Sequence, residues 1–397
     1  MKINNINIIT QLNDISDLVT ISYVVNVGAY DEDEKNLGIT HLIEHLLFKG
    51  TNNMTANEIN KYIEKLGGSM NAYTSYTKTK FYCTVPSKYW KEATIFLNDL
   101  IFYNTIPEDQ FDLEKDVVLN ELRMYDDDPD SNCQDNLMKI IFNNAINRQV
   151  VGGTVESVSK ITRNQVMNFI NKYYVNNNID IIVSGNINGS ENDFYNFIES
   201  ITFELSNNFK REKDYFTFDV KDLEVVKYKN DIYQSILNWG LIGPSKDDKD
   251  YFPFLIITNL LGGNMSSVLY EEVREKLGLV YTINMNVNDE FKDYSLALGS
   301  TSLQKKNIDK VKKIINDNIY NIHIDETLLE NNKIYLIGSL LRSLQTTNGI
   351  NDYLTNNKIN KEEYINLINM VTIKDIERVI KKYFKNSNIY YSSIISQ

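Results

Sequence analysis

The sequence predicts an α+β protein built from a duplicated unit, since one order of elements occurs twice along its 397 residues. In each half a β-rich segment precedes an apolar helix, a second helix and further strands. Paired glycines end a helix in both halves, at residues 67–68 and 262–263. We therefore predict two domains, residues 1–208 and 221–397, connected by a polar linker at residues 209–220.

The composition narrows the classes of function. With a net charge of −12, the chain does not suit a phosphate backbone, so we expect no nucleic-acid partner. It has no uncharged apolar run of about 18 residues, so we expect no membrane span. Two cysteines are too few for a disulfide framework and fit a reducing compartment. The first residues lack the apolar core of a signal peptide, and a cytoplasmic protein is the expectation.

The elements of the first half follow from local patterns. Residues 37–49 have helical apolar spacing, and Gly50 ends the run. Residues 55–68 form a second predicted helix, with Thr55 as its cap and Glu58 three positions later. The other predicted elements are a strand at 17–32, paired strands at 69–86, helices at 88–104 and 107–125, and a strand at 177–187.

The same local patterns predict the elements of the second half. Before it, residues 206–220 are polar and charged with little helical or strand pattern, which is typical of a linker. The predicted elements that follow are a strand at 233–243, helices at 250–263 and 266–278, strands at 279–289 and 294–302, and helices at 304–322 and 325–345.

Two of the three histidines lie in GITHLIEHLLFKGT, residues 38–51. His41 and His45 are four positions apart, so a helix places both imidazoles on one face, where they can bind one metal ion. Glu44 lies beside them, as a general base for a metal-activated water should. The order H-x-x-E-H is that of the inverzincins, and imidazole nitrogen suits zinc. The alternative reading is two histidines packed on a buried helix, with the glutamate paired to one of them.

A zinc site needs a further protein ligand. The predicted helix DQFDLEKDVVLNELRMYDDDP, residues 109–129, offers Glu114 and Glu121, seven positions apart and therefore on one face. Spacing alone favours a solvated helix face for both glutamates, so the residues by themselves do not select the third ligand.

Four segments together resemble peptidase family M16, the pitrilysin and mitochondrial-processing-peptidase superfamily. They are GITHLIEHLLFKGT, GGSMNAYTSYTKTKFY, LEKDVVLNELRMYDDDP and LLGGNMSSVLYEEVREKLGLVYTI. The resemblance covers nearly the whole chain. It implies two homologous α/β-sandwich domains of the LuxS/MPP-like metallohydrolase type, each a mainly antiparallel sheet covered by helices. The chain length resembles the M16B subfamily, whose members pair into a chamber.

The resemblance assigns a role to each residue of the metal set. His41, His45 and Glu121 are implied to hold one zinc ion per chain, and Glu44 to be the catalytic base. Glu114 is implied to orient a ligand histidine, as imidazole ligands generally need.

It also implies where substrate binds. NAYTSYT resembles the strand whose backbone, at Asn71 and Ala72, binds a peptide as an added β-strand. Gly262 and Gly263 resemble the family's glycine-rich substrate contact, although Val268 stands in the segment that follows where arginine is common.

Arg274 and Tyr281 resemble the family's Arg–Tyr pair, which reaches the substrate carbonyl. The alternative is a surface arginine on a helix and a tyrosine on a strand. The expected function is a zinc metalloendopeptidase that hydrolyses peptides or unfolded polypeptides. A homodimer is expected because one chain carries both the zinc set and the pair. A maturation peptidase that needs a different partner chain, and a non-catalytic scaffold subunit, are the alternatives.

Overall fold

The helices and strands predicted from the sequence are present in the computed structural model, which describes residues 1–143, 145, 150–202, 209–210 and 218–397. Its strands are β1 (Lys2–Ile3), β2 (Ile6–Leu12), β3 (Leu18–Val25), β4 (Ser69–Thr74), β5 (Thr79–Pro86), β6 (Ile179–Gly185), β7 (Glu224–Lys229), β8 (Ser235–Gly243), β9 (Val280–Asn288), β10 (Ser295–Leu303) and β11 (Tyr390–Ser396).

The helices vary in length and lie between these strands in the sequence. They are α1 (Ile39–Leu47), α2 (Ala56–Lys65), α3 (Trp90–Phe102), α4 (Glu108–Asp127), α5 (Pro129–Ile141), α6 (Val155–Ser159), α7 (Arg163–Tyr173), α8 (Glu191–Ile201), α9 (Tyr251–Gly262), α10 (Ile308–Asn321), α11 (Glu326–Ser343), α12 (Thr347–Asn356), α13 (Lys361–Met370) and α14 (Ile373–Val379), with a π-helical segment at Tyr270–Lys276. Within the described ranges, none of them is both long and apolar enough to cross a membrane.

The first of two structural units contains a six-stranded sheet in the order β1-β2-β6-β3-β5-β4. Among the described strands of this sheet, only β2 and β6 pair in parallel. Strand alternation places Val19, Ile21 and Tyr23 in the apolar core, which helices including α1 and α3 cover, and turns Thr20 and Ser22 to the opposite face. β4 forms one edge of this sheet, because β5 is its single neighbour in the strand order.

The second unit contains a five-stranded sheet in the order β7-β11-β8-β10-β9. β7 to β11 take the places that β2 to β6 have in the first sheet, and the one parallel pair, β7 with β11, is again in the equivalent position. The prediction of two homologous domains, each a mainly antiparallel sheet covered by helices, is therefore confirmed.

Each unit includes a helix from the other half of the sequence. Residues 342–358 group with the first unit, where α12 lies on the polar sheet face: the Thr20 and Thr347 hydroxyls are 2.8 Å apart, and Ser22 Oγ donates to Asn351 Oδ1 at 2.8 Å. Residues 125–149 group with the second unit, where α5 brings Cys133 Sγ to 3.3 Å from a backbone carbonyl of β11. Polar strand residues that look solvent-facing in the sequence are thus covered.

The predicted linker at residues 209–220 stays a prediction, because residues 203–208 and 211–217 lie outside the described part of the chain. We call α5 and α12 the exchanged helices, because each belongs to the unit formed mainly by the other half of the chain. The two units are therefore not uninterrupted segments, as the predicted domains 1–208 and 221–397 would be.

Candidate metal centre and active site

Helix α1 has one apolar and one polar face. It begins after Gly38, whose backbone has a φ of 89°, a conformation that favours glycine. The residues it buries in the core are Ile39, Thr40, Leu42, Ile43, Leu46 and Leu47. Because the core takes those positions, His41, Glu44 and His45 lie together on the remaining side of the helix.

Helix α4 supplies a carboxylate to the same place. Glu121 Oε1 lies 3.9 Å from His41 Nε2, and Glu121 Oε2 lies 3.2 Å from His45 Nε2. Potential ligand atoms of the three residues all fall within 4.8 Å of one another. The structure thus brings together the three residues that the family resemblance implies as metal ligands.

Glu114, two helical turns before Glu121 on α4, contacts the other ring nitrogen of His45. His45 Nδ1 donates to Glu114 Oε1 at 3.0 Å, since a carboxylate can only accept. The other oxygen, Oε2, lies 2.6 Å from Lys49 Nζ. With its Nδ1 proton held in this way, His45 presents the lone pair of Nε2 toward Glu121.

The pKa values reflect this crowding. Burial lowers the pKa of His41 to about 4, and the charge of His45 acts in the same direction. Burial also acts to lower the pKa of His45, but the hydrogen bond to Glu114 and the charges of Glu121 and Glu44 outweigh it and raise that pKa. The pKa of Glu114 is lowered despite burial, because His45 and Lys49 stabilise its carboxylate.

The residues fit a zinc ion. His45 Nε2 and a carboxylate oxygen of Glu121 lie 3.2 Å apart, a distance at which their lone pairs repel unless a metal cation or a proton lies between them. Two imidazole nitrogens and one carboxylate form one of the ligand sets of catalytic zinc sites, which keep a fourth position for water. His41, with its lowered pKa, is neutral near pH 7 and able to ligate.

Glu44 is fixed by the end of the edge strand. Thr74, the last residue of β4, donates its hydroxyl to Glu44 Oε2 at 2.7 Å. Burial raises the pKa of Glu44 above its usual range, and the Thr74 bond and the His45 charge oppose this rise. A half-buried carboxylate beside the ligand set, with a raised pKa, has the properties of a general base.

Strand β4 has the backbone geometry that an added peptide strand requires. It is an edge strand, with its ladder bonds on the β5 side. Asn71 and Ala72 lie in its middle, where Ala72 N donates to Asn71 Oδ1 at 2.9 Å. The predicted role of these residues in substrate binding stays a prediction.

In the second unit, Arg274 lies on the π-helical segment and forms an ion pair with Glu275. Tyr281 lies on the edge strand β9 and is 81% exposed. Gly262 ends α9, where a Cβ atom would lie 2.7 Å from Met285 N, and Gly263 caps the helix. Close packing against β9 explains why a residue without a Cβ atom stands at position 262. The roles predicted for Arg274, Tyr281, Gly262 and Gly263 stay predictions.

Three residues at the site were not predicted from the sequence. Thr74 lies in the NAYTSYT segment, and Lys49 follows His45 by four positions. The motif could have indicated the first residue, and the helical spacing the second. Glu32 had none: it lies in the β3–α1 connection and accepts hydrogen bonds from the backbone of Gly38 and Thr40. Burial raises the pKa of Glu32 to about 8.

Two family models match the chain. Residues 7–154 match "Insulinase (Peptidase family M16)", and residues 160–334 match "Peptidase M16 inactive domain". A Bacillus subtilis (strain 168) protein named "Uncharacterized zinc protease YmxG" is 27% identical over 401 residues, which cover 96% of this chain and 94% of that protein.

Solved structures share the fold. A protease from Helicobacter pylori is similar with a TM-score of 0.90 and 20% identity, over 100% of this chain and 98% of that one. A peptidase M16 inactive domain from Pseudomonas fluorescens is similar with a TM-score of 0.88 and 17% identity, over 100% and 97% of the two chains. At these identities the likeness concerns the fold.

Proposed function

Because the chain belongs to peptidase family M16, we propose that it is a zinc-dependent endopeptidase that hydrolyses peptides or unfolded polypeptides. The observation that carries the proposal is the convergence of His41, His45 and Glu121, with the half-buried Glu44 beside them. An inactive family member would have no need to keep a base and a ligand set together.

His41, His45 and Glu121 would hold one zinc ion. Zinc, when bound, supplies Lewis-acid chemistry: it lowers the pKa of water and polarises a carbonyl group. Lys49 and Glu114 keep the Nδ1 proton on His45, so that Nε2 is free to ligate.

Glu44 accepts a proton from the attacking water and returns it to the leaving amine. Thr74 donates its hydroxyl to Glu44 Oε2 and so orients the carboxylate for proton transfer. Because Thr74 ends the edge strand, the same strand that would bind a peptide also orients the base. Arg274 and Tyr281, from this chain or a partner copy, would stabilise the developing oxyanion.

Main-chain pairing on β4, at Asn71 and Ala72, favours extended substrates of varied sequence, since strand addition recognises the backbone. Gly262 and Gly263 are proposed to contact the same substrate. The chain length suits the M16B subfamily, in which paired chains enclose a chamber that admits unfolded peptides and excludes folded proteins.

A cytoplasmic homodimer is the proposed state of the protein. Both cysteines are free and buried, which suits a reducing compartment. The chain also carries the metal set and the Arg–Tyr pair, so that two identical copies would be complete.

The test is digestion of a peptide mixture by the purified chain, with products identified by mass spectrometry. We expect cleavage that a chelator abolishes and added zinc restores, together with one zinc per chain by metal analysis. A zinc-loaded chain that cleaves none of the peptides contradicts the proposal and favours a subunit that needs a different partner. A chain that binds no zinc favours a non-catalytic scaffold.

A further inference from the structure

Glu32 is a buried residue in the connection between β3 and α1. Its oxygens accept hydrogen bonds from Gly38 N at 2.6 Å, from Thr40 N at 2.9 Å and from Thr40 Oγ1 at 2.5 Å. The first N–H groups of a helix have no partner within the helix, and Gly38, at the cap position, has no side chain to offer. Glu32 therefore takes the place of the missing cap.

The same connection is bonded to the residues that follow β4. Ala29 N donates to Ser75 O at 3.1 Å, and Tyr30 N donates to Tyr76 O at 2.9 Å. Gly28 lies so close to this turn that a Cβ atom would be 2.3 Å from Ser75 O. The connection thus joins the start of the metal-ligand helix to the end of the edge strand.

The two histidines of the site are held differently. His45 is oriented by Glu114, whereas His41 Nδ1 is buried and has no hydrogen-bond partner among the residues that the structure describes. His41 directly follows Thr40 in the first turn of α1. Its imidazole is consequently positioned by the backbone of that turn and by packing.

We propose that Glu32 is a positioning residue that fixes the first turn of α1, and with it His41, in register with β4. The inference rests on the proposed function, since it assigns Glu32 to the same zinc site. The cap needs both oxygens of Glu32 as acceptors, because Gly38 N faces one oxygen and Thr40 N faces the other. This requirement holds whatever the charge of the carboxyl group. In Glu32→Gln the amide nitrogen meets one of these N–H groups, so a cap bond is lost at nearly constant volume.

The test measures zinc affinity of the metal-free chain by competition with a chromophoric chelator. Loss of a residue that supports a metal ligand typically weakens binding about 10- to 100-fold, and we expect this for Glu32→Gln. Asp33→Asn is the matched control and should bind like the parent, because Asp33 is an exposed acid of the same connection that accepts from Lys35 N. At saturating zinc, kcat of Glu32→Gln should fall with KM unchanged, since β4 keeps its structure, and the Thr40 amide should exchange faster with deuterium.

Zinc affinity of Glu32→Gln within about twofold of the parent overturns the proposal. If that variant does not fold, Thr40→Val and Thr40→Ser replace it, because the valine removes the hydroxyl bond to Glu32 and the serine keeps it. Weaker zinc binding by the valine variant supports the proposal, and equal affinity of the two overturns it. A parent chain that binds no zinc overturns the proposed function together with this inference, so the two failures are distinguishable.

Discussion

Lys49 Nζ lies 2.6 Å from Glu114 Oε2, while the other oxygen of Glu114 accepts from His45 Nδ1 at 3.0 Å. Lys49 follows Phe48, the C-cap of the helix that carries His45, so one short segment provides both the candidate ligand and the cation that contacts Glu114. The lowered pKa of Glu114 follows from these two contacts, which outweigh its burial. A proton position on His45 is therefore set by a lysine that lies outside the candidate ligand set.

Replacing Lys49 should weaken the metal site. Lys49→Met removes the charge at similar length, so Glu114 loses the contact that orients it, and zinc affinity should fall about tenfold. Lys49→Arg should restore most of the affinity. Competition with a chelator measures both values. Lys160→Met removes an exposed lysine paired with Glu156 and should change nothing; an equal loss there would assign the effect to net charge.

Glu44→Gln should separate metal binding from hydrolysis. The amide keeps the size of the side chain but cannot accept a proton, and loss of a general base costs about 10²- to 10⁴-fold in rate. Zinc content should stay at the level of the parent. Peptide cleavage and metal analysis on the same preparation check the prediction, and cleavage at the parental rate would show that another group is the base.

Thr74→Val should lower kcat while zinc affinity is unchanged. The hydroxyl of Thr74 is a donor to Glu44 Oε2, and a hydrogen bond to a charged group contributes about 1.5–3 kcal/mol, or roughly tenfold or more in rate if it is lost only during catalysis. Thr74→Ser retains the hydroxyl and should retain activity. If both variants behave like the parent, the bond does not position the base.

Asp250 should make the stability of the second unit depend on pH. Its buried carboxylate accepts from Arg378 Nε at 3.0 Å and from Lys382 Nζ at 2.9 Å. Burial acts to raise the pKa of Asp250, but these two cations outweigh it, and the pKa lies below its usual range. The unfolded chain then binds a proton more readily, so the stabilisation is complete above the ordinary aspartate pKa and is lost as pH falls through the native pKa.

Urea unfolding from about pH 3 to pH 7 measures this contribution. Trp90 and Trp239 are the two tryptophans, one in each unit, so fluorescence in a Trp90→Phe background reports on the second unit. Asp250→Asn should lower the free energy of unfolding by about 1–3 kcal/mol at pH 7 and by less at pH 3. Asp293→Asn, at an exposed position, should match the parent throughout.

Asn351→Ala should destabilise the first unit. Asn351 is fully buried on α12, donates to Thr20 O and Ile182 O, and accepts from Ser22 Oγ. Alanine removes these three hydrogen bonds, at a cost of about 2–3 kcal/mol. Fluorescence of Trp90 in a Trp239→Phe background reads the change. Asn356→Ala, at the exposed end of the same helix, should cost far less.

The secondary structure was largely predictable because its signals are local. Thr55 and Glu58 form the expected capping box, and the apolar spacing of residues 37–49 gives α1 within two residues at each end. The exchange of α5 and α12 was not predictable from such signals. Thr20 and Ser22 alternate with apolar residues as a solvent-facing strand does, and their partners lie more than 300 residues away.

The candidate site divides in the same way. His41 and His45 are recognisable because helix geometry alone converts their spacing into a shared face. Glu121 needed the family resemblance, since a glutamate at helical spacing is ordinarily solvated. Glu32 was not predictable, because its contacts depend on the path of an irregular connection whose sequence has no periodic pattern.

The exchanged helices also have a consequence for the order of events during synthesis. The ribosome completes all six strands of the first sheet by residue 185, but the helix that covers its polar face begins only at Thr347. Domains usually fold one after another as they emerge, the N-terminal one first. Here the nascent first unit must wait, with Thr20 and Ser22 still in contact with water, until most of the second unit has been translated.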